Sequence, residues 1–186
     1  MGIGGRILGA ATAMIALSAL SVADGNIVQQ KRQAEFAAAA MARADTWYRQ
    51  TLQYSQDGCY RLGTGYAATD WSTLGGCHPP YYRTDCSGFV SMAWNLPHSY
   101  ATPRPGPGQD LGDLTEQIPK DQLSKGDALV APGKHVRLFE KWLNTEQTRY
   151  RAYDFGSTPV KHQDYIWGAA GEYEYTPVRY VRATTA

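Results

Sequence analysis

The chain opens with one charge, Arg6, followed by an apolar run over residues 7–22 that is rich in Ala and Leu. The run is shorter than the ~20 apolar residues of a membrane-spanning helix. It ends in Ser21, Val22 and Ala23 ahead of Asp24 and Gly25. Small residues three before and one before the break, Ser21 and Ala23, suit signal peptidase. Residues 1–23 therefore read as a secretory signal, with an uncleaved membrane anchor as the alternative. The remainder, 24–186, reads as a single domain outside the cytoplasm, with no stable membrane association once the signal is removed.

Residues 33–52 are dense in Ala, and Phe36, Ala40, Trp47 and Leu52 recur near helical spacing, which predicts a helix. Residues 53–84 carry Gly63, Gly65, Gly75, Gly76, Pro79 and Pro80 and read as a long loop. Over 86–94, Val90, Ala93 and Trp94 share one helical face, and Asn95 and Pro97 stop the helix. Proline and glycine make 98–112 an exposed loop, and 115–125 looks like a short helical turn.

The period then changes from helical to alternating. Residues 128–130 form a short buried strand. Residues 135–142 and 149–155 alternate with period two around a polar turn at 144–147, and 178–181 completes the set. Helices followed by an antiparallel sheet argue for an α+β fold.

Composition narrows the function. Eighteen basic and 17 acidic residues leave a net charge of +1, which excludes a polybasic nucleic-acid binder. With 43% hydrophobic and 12% aromatic residues the chain can bury a core. The 13 tyrosines and five tryptophans suggest an aromatic-lined groove or an extracellular surface. No CxxC or HxxxH spacing occurs among the scattered histidines, so no metal and no cofactor is expected. A monomer is the default for a chain of this kind.

Three cysteines in an oxidising compartment leave one unpaired. Cys59 and Cys77 bracket a turn-rich stretch, and a disulfide between them would stabilise by about 3 kcal/mol in the chain-entropy picture. Pairing of Cys77 with Cys86, or a buried structural Cys86, is the alternative. Cys86 sits at a helix start, where unpaired N–H groups and the dipole favour an anion. Thiolates, not thiols, are nucleophiles, and they need a base within reach. His135 opens the first long strand and is the candidate. The hairpin places it opposite residues 153–157, where Asp154 is the acid that could orient its ring. Glu140, five residues along the same strand, should point to the other face. Among the remaining histidines, His78 reads as a loop residue, His162 as an exposed residue in a polar stretch, and His98 has no nameable partner.

The stretch from Tyr82 to Val90, with Asp85-Cys86-Ser87-Gly88 at its centre, resembles the nucleophile motif of the NlpC-type cysteine hydrolases. Leu123 through Gly126-Asp127 to Leu129, followed by His135-Val136, resembles that family's strand entry and catalytic-histidine strand. The Ala-rich helix followed by Tyr54 resembles the segment that supplies a substrate-contacting tyrosine. The resemblance spans roughly residues 36–157. It implies a papain-like fold, with Cys86 as nucleophile, His135 as base, and Asp154 at a third position that in the family is often His, Asn or Gln. It further implies Tyr54, Asp85 and Ser87 as substrate contacts. The implied substrate is a peptidoglycan stem peptide cut at a D-glutamyl–diamino-acid bond. Other readings are an amidase or acyl-transfer enzyme on another substrate, or a catalytically silent secreted binding module.

Overall fold

A computed structural model describes residues 10–102 and 110–183. The first nine residues of the 1–23 segment lie outside these, as do residues 103–109 of the proline-rich 98–112 loop. Helix α1 runs Ala10–Tyr48. It begins well before the expected position 33; the stretch upstream contains no proline to end the helix. It stops at Tyr48 rather than at 52, and Leu52 packs into the core as extended chain (2% exposed). The buried positions of α1 are Ala37, Ala40, Ala44 and Trp47, one face at helical spacing. Alanines on that face allow close approach: a Cβ on Gly126 would lie 3.0 Å from Ala37 Cα.

The 53–84 segment is not a loop. It carries β1 (Ser55–Arg61), β2 (Gly65–Ala68) and β3 (Tyr82–Thr84), a three-stranded antiparallel sheet in the order β2-β1-β3. Its strands escaped the period-two test because in β1 only Cys59 and Tyr60 are buried. Gly63 (φ 77°) and Gly65 (φ 103°) turn the β1–β2 hairpin in the left-handed region. The Cys59–Cys77 disulfide ties β1 to the segment leading to β3, and Cys86 is the free cysteine.

Helix α2 spans Cys86–Ala93 and is buried along its whole length. Trp94 caps it, and Asn95 turns the chain away with φ 56°. The six-stranded antiparallel sheet follows: β4 (Thr115–Gln117), β5 (Ala128–Ala131), β6 (His135–Trp142), β7 (Arg149–Asp154), β8 (Lys161–Ile166) and β9 (Thr176–Tyr180). Its spatial order is β4-β9-β5-β6-β7-β8. Three strands match the expected ones within a residue, and β9 begins two residues early. The expected helical turn over 115–125 is instead β4 followed by a short 3-10 turn at Lys120–Gln122. β4 exists through its pairing with β9, Glu116 opposite Arg179, which local pattern does not report. β8 is an edge strand in which only Tyr165 is buried, so its alternation is too weak to read from sequence.

Both faces of this sheet are covered. Val130, Val136 and Leu138 pack with Trp47, Phe89 and Phe155 on the helical side. Leu129, Phe139, Tyr150 and Tyr165 pack on the other side. Each fully buried large side chain contributes roughly 1.5–3 kcal/mol. The architecture is α+β, with α2 set against the sheet that carries β6 and β7.

Candidate active site

Asp85 is the N-cap of α2, with extended backbone, and its Oδ1 accepts the Gly88 N–H at 2.6 Å. Cys86 is thus the first residue of the helix, where its N–H has no intrahelical carbonyl to meet. Position 88 requires glycine, since a Cβ there would lie 2.1 Å from the Arg83 carbonyl oxygen. Cys86 is 5% exposed, with its Sγ 3.7 Å from Thr102 Oγ1.

His135 opens β6 and is buried. The pleat puts Val136 and Leu138 in the helical-side core and leaves His135 and Arg137 on the alternate positions. His135 Nε2 lies 2.9 Å from Asp154 Oδ1, at the end of β7. Its other strong partner is Cys86, which leaves Nδ1 as the ring nitrogen for the sulfur. Burial opposes a charge on the ring, but the hydrogen bonds to Asp154 and Cys86 outweigh it and hold His135 up at about 9. Gly156 passes close by; a Cβ there would lie 2.9 Å from His135 Cε1 and 3.1 Å from Asp154 Oδ1. The structure therefore brings the three residues expected as a triad into one constellation.

Asp154 is held on three sides. Besides His135 it accepts from Arg137 Nε at 2.6 Å and Tyr165 Oη at 2.9 Å, both on Oδ2. Burial alone would raise its pKa. The hydrogen bond and charge of His135, then the charge of Arg137, hold it well below the ordinary carboxylate range. Arg137 in turn donates to Tyr150 Oη at 3.0 Å, pairs with Glu172 at 2.8 Å, and lies 3.7 Å over the Tyr165 ring and 4.9 Å from that of Tyr175. Sequence reading missed Arg137. The signal that could have found it is its place two residues after His135, on the same face of the strand. Glu140 stands apart: it binds His162 at 2.9 Å, and that ring stacks on Tyr153 at 4.0 Å. His162 is therefore half-buried and stacked rather than exposed. His98 stacks on Tyr100 at 4.3 Å, which supplies the neighbour the sequence could not name.

A cleft of about 370 Å³ opens at Cys86, lined by Gln56, Asp57, Trp71, Arg83, Asp85, Ser87, Ala101, Thr102, Gly133 and Lys134. Arg83 is buried in its floor. It donates to Asp85 Oδ2 at 2.9 Å, Ser87 Oγ at 3.1 Å, Gly75 O at 2.5 Å and Tyr100 O at 2.8 Å. Asp85 and Ser87 line the cleft, yet both are buried and their side-chain oxygens are engaged inside the protein. Tyr54 is half-buried beside the site, its ring 5.6 Å from Phe155. Burial first, then the negative charges of Cys86 and Asp85, push its phenol up to about 12. Trp71 is 62% exposed at the mouth, seated over Gly76, where a Cβ would lie 2.8 Å from its ring.

Among the described residues no group of three or more His, Cys, Asp or Glu side chains is placed to hold a metal ion, and no helix is long and apolar enough to cross a membrane. A thiol at a helix start, a buried imidazole beside it and a carboxylate behind the imidazole form an arrangement able to activate a sulfur nucleophile and to carry a proton. No family model, curated protein or solved structure matches this chain.

Proposed function

We propose that this protein is a papain-like, NlpC-type cysteine hydrolase, exported from the cytoplasm, that cleaves an amide bond in peptidoglycan stem peptides. The observation that carries the reading is the joint placement of Cys86, His135 and Asp154, with His135 Nε2 held by Asp154 and its other nitrogen left to the sulfur. The Cys59–Cys77 disulfide suits an oxidising compartment.

An imidazolium beside the sulfur favours the thiolate as its partner. Cys86 Sγ attacks the carbonyl carbon of the D-glutamyl–diamino-acid amide. The oxyanion meets the Cys86 backbone N–H at the start of α2. His135 then gives its proton to the leaving nitrogen as the C–N bond breaks, and the amine departs, leaving a thioester. Water, deprotonated by the now neutral His135, attacks the thioester. The acid is released, and sulfur and imidazolium return to their starting state. Asp154 holds the ring orientation throughout, as the third member of a triad does.

Digestion of purified peptidoglycan by the protein, beside Cys86→Ala, tests this. Stem-peptide fragments released by the wild type alone, identified by mass spectrometry, support the reading. An absence of release by either protein, while Cys86 reacts with a thiol reagent, points to another amide or acyl substrate. An absence of both points to a silent binding module.

A further inference from the structure

The reading above leaves open which diamino acid follows the scissile bond, and the charges of the cleft bear on that choice. Two cations line it, Arg83 and Lys134. Arg83 is committed within the protein: its guanidinium serves the Asp85 carboxylate, the Ser87 hydroxyl and the carbonyls of Gly75 and Tyr100. Lys134 is exposed, and its ammonium rests 5.9 Å from the Tyr173 ring. Asp57, the uncommitted anion of the cleft, is carried by β1 in the other sheet, and among the described residues no ion pair joins it to Lys134. Lys134 is therefore the lining cation left to meet a ligand.

Its position says which half of the ligand. Lys134 immediately precedes His135, and its backbone is set by the turn in which its N–H donates to Ala131 O at 3.0 Å and Gly133 takes φ 67°. In amide cleavage His135 must protonate the leaving nitrogen, so the amine-bearing half of the substrate lies beside the start of β6. An ammonium there attracts a carboxylate and repels a bare ammonium.

We infer that Lys134 is a specificity residue that selects a leaving diamino acid whose side chain ends in a carboxylate (the diaminopimelate type) over one that ends in an ammonium alone (the lysine type). The inference rests on the peptidoglycan reading. Attraction of one side chain and repulsion of the other add, and a charge-assisted contact in a half-enclosed cleft is worth about tenfold or more.

The test uses two synthetic tripeptides, L-Ala–γ-D-Glu–meso-diaminopimelate and L-Ala–γ-D-Glu–L-Lys, and compares kcat/KM for the wild type, Lys134→Gln and Lys134→Glu. The wild type is expected to favour the diaminopimelate peptide at least about tenfold. Lys134→Gln should bring the ratio towards one, and Lys134→Glu should invert it. A wild-type ratio near one, or a ratio that neither substitution moves, overturns the role of Lys134 while leaving the peptidase reading intact. Cleavage of neither peptide overturns the stem-peptide reading and this inference with it.

Discussion

Arg137 donates from Nε to Asp154 Oδ2 at 2.6 Å, and this bond leaves Oδ1 to face His135 Nε2 at 2.9 Å. The carboxylate is thereby fixed in one orientation and one charge state, and the imidazole is fixed with it. Replacing Asp154 by Asn tests the arrangement. The amide can still offer its oxygen to His135, but its NH2 then confronts the Arg137 Nε–H, donor against donor. Asp154→Asn is expected to lose about 10²-fold or more in kcat/KM, and about 1–3 kcal/mol of stability because the buried Arg137 Nε–H is left facing a donor, with Glu172 remaining as its other ion-pair partner. Adding Arg137→Met should restore stability, read by urea unfolding, without restoring activity. Wild-type activity in the single variant would remove Asp154 from the mechanism.

The same pair sets a pH dependence. His135 is raised from 6.5 to about 9, so its contribution to stability is full below the ordinary histidine value and is lost as pH rises through about 9. Asp154 is depressed, so its contribution is full above the ordinary carboxylate value and is lost as pH falls below it. These two groups together favour the window between the ordinary Asp and His values, with His135 worth up to about 3 kcal/mol there. Thermal unfolding from pH 6 to 10 should show a falling Tm in the wild type and a flatter profile in His135→Gln. Hydrolysis should fall near pH 9 as the imidazolium proton needed by the leaving amine is lost. A rate that keeps climbing to pH 10 would contradict that role.

Two glycines separate folding from chemistry. Gly88→Ala drives a methyl to 2.1 Å from the Arg83 carbonyl and should disrupt the β3–α2 junction, lowering stability by several kcal/mol, on the order of the largest single-residue effects. Gly156→Ala meets the His135 ring at 2.9 Å, in a backbone conformation open to alanine. It should leave Tm within a few degrees of wild type while reducing kcat at least about tenfold, since small displacements of catalytic groups carry penalties of this size. Equal activity in Gly156→Ala and wild type would show that the ring has room to move.

The disulfide closes a sequence separation of 18 residues. Its removal in the Cys59→Ser, Cys77→Ser double variant should lower stability by about 3 kcal/mol and loosen the segment that seats Trp71. Alkylation of the folded wild type, mapped by mass spectrometry, should modify Cys86 alone. Label on Cys59 or Cys77 would refute the bridge.

How legible the site was depends on what holds each residue. Cys86 and His135 announce themselves because each sits where a periodic segment begins, and helix and strand starts are visible in local pattern. Asp154 follows from hairpin arithmetic: the turn at 144–147 aligns β6 with β7, although a bulge between Phe139 and Lys141 shifts the register by one residue. Arg137 looked like an ordinary polar position on a strand. Its burial became tolerable only once Asp154, Glu172 and three tyrosines converged on it from β7, β8 and the segment before β9.

Amino-acid order alone determined the α+β succession, the helix-start cysteine and the strand-start histidine, because short-range periodicity and turn chemistry act over a few residues to a few tens of residues. Tertiary structure decided the rest. It made strands of 55–61, 65–68 and 115–117 by pairing them with partners distant along the chain or across a turn, where hydrogen bonding rather than alternation supplies the free energy. It also closed Arg83 onto Asp85 and Ser87, leaving Lys134 as the cleft-lining cation that makes no ion pair among the described residues, because electrostatic neutralisation depends on distance in space and not on separation along the chain.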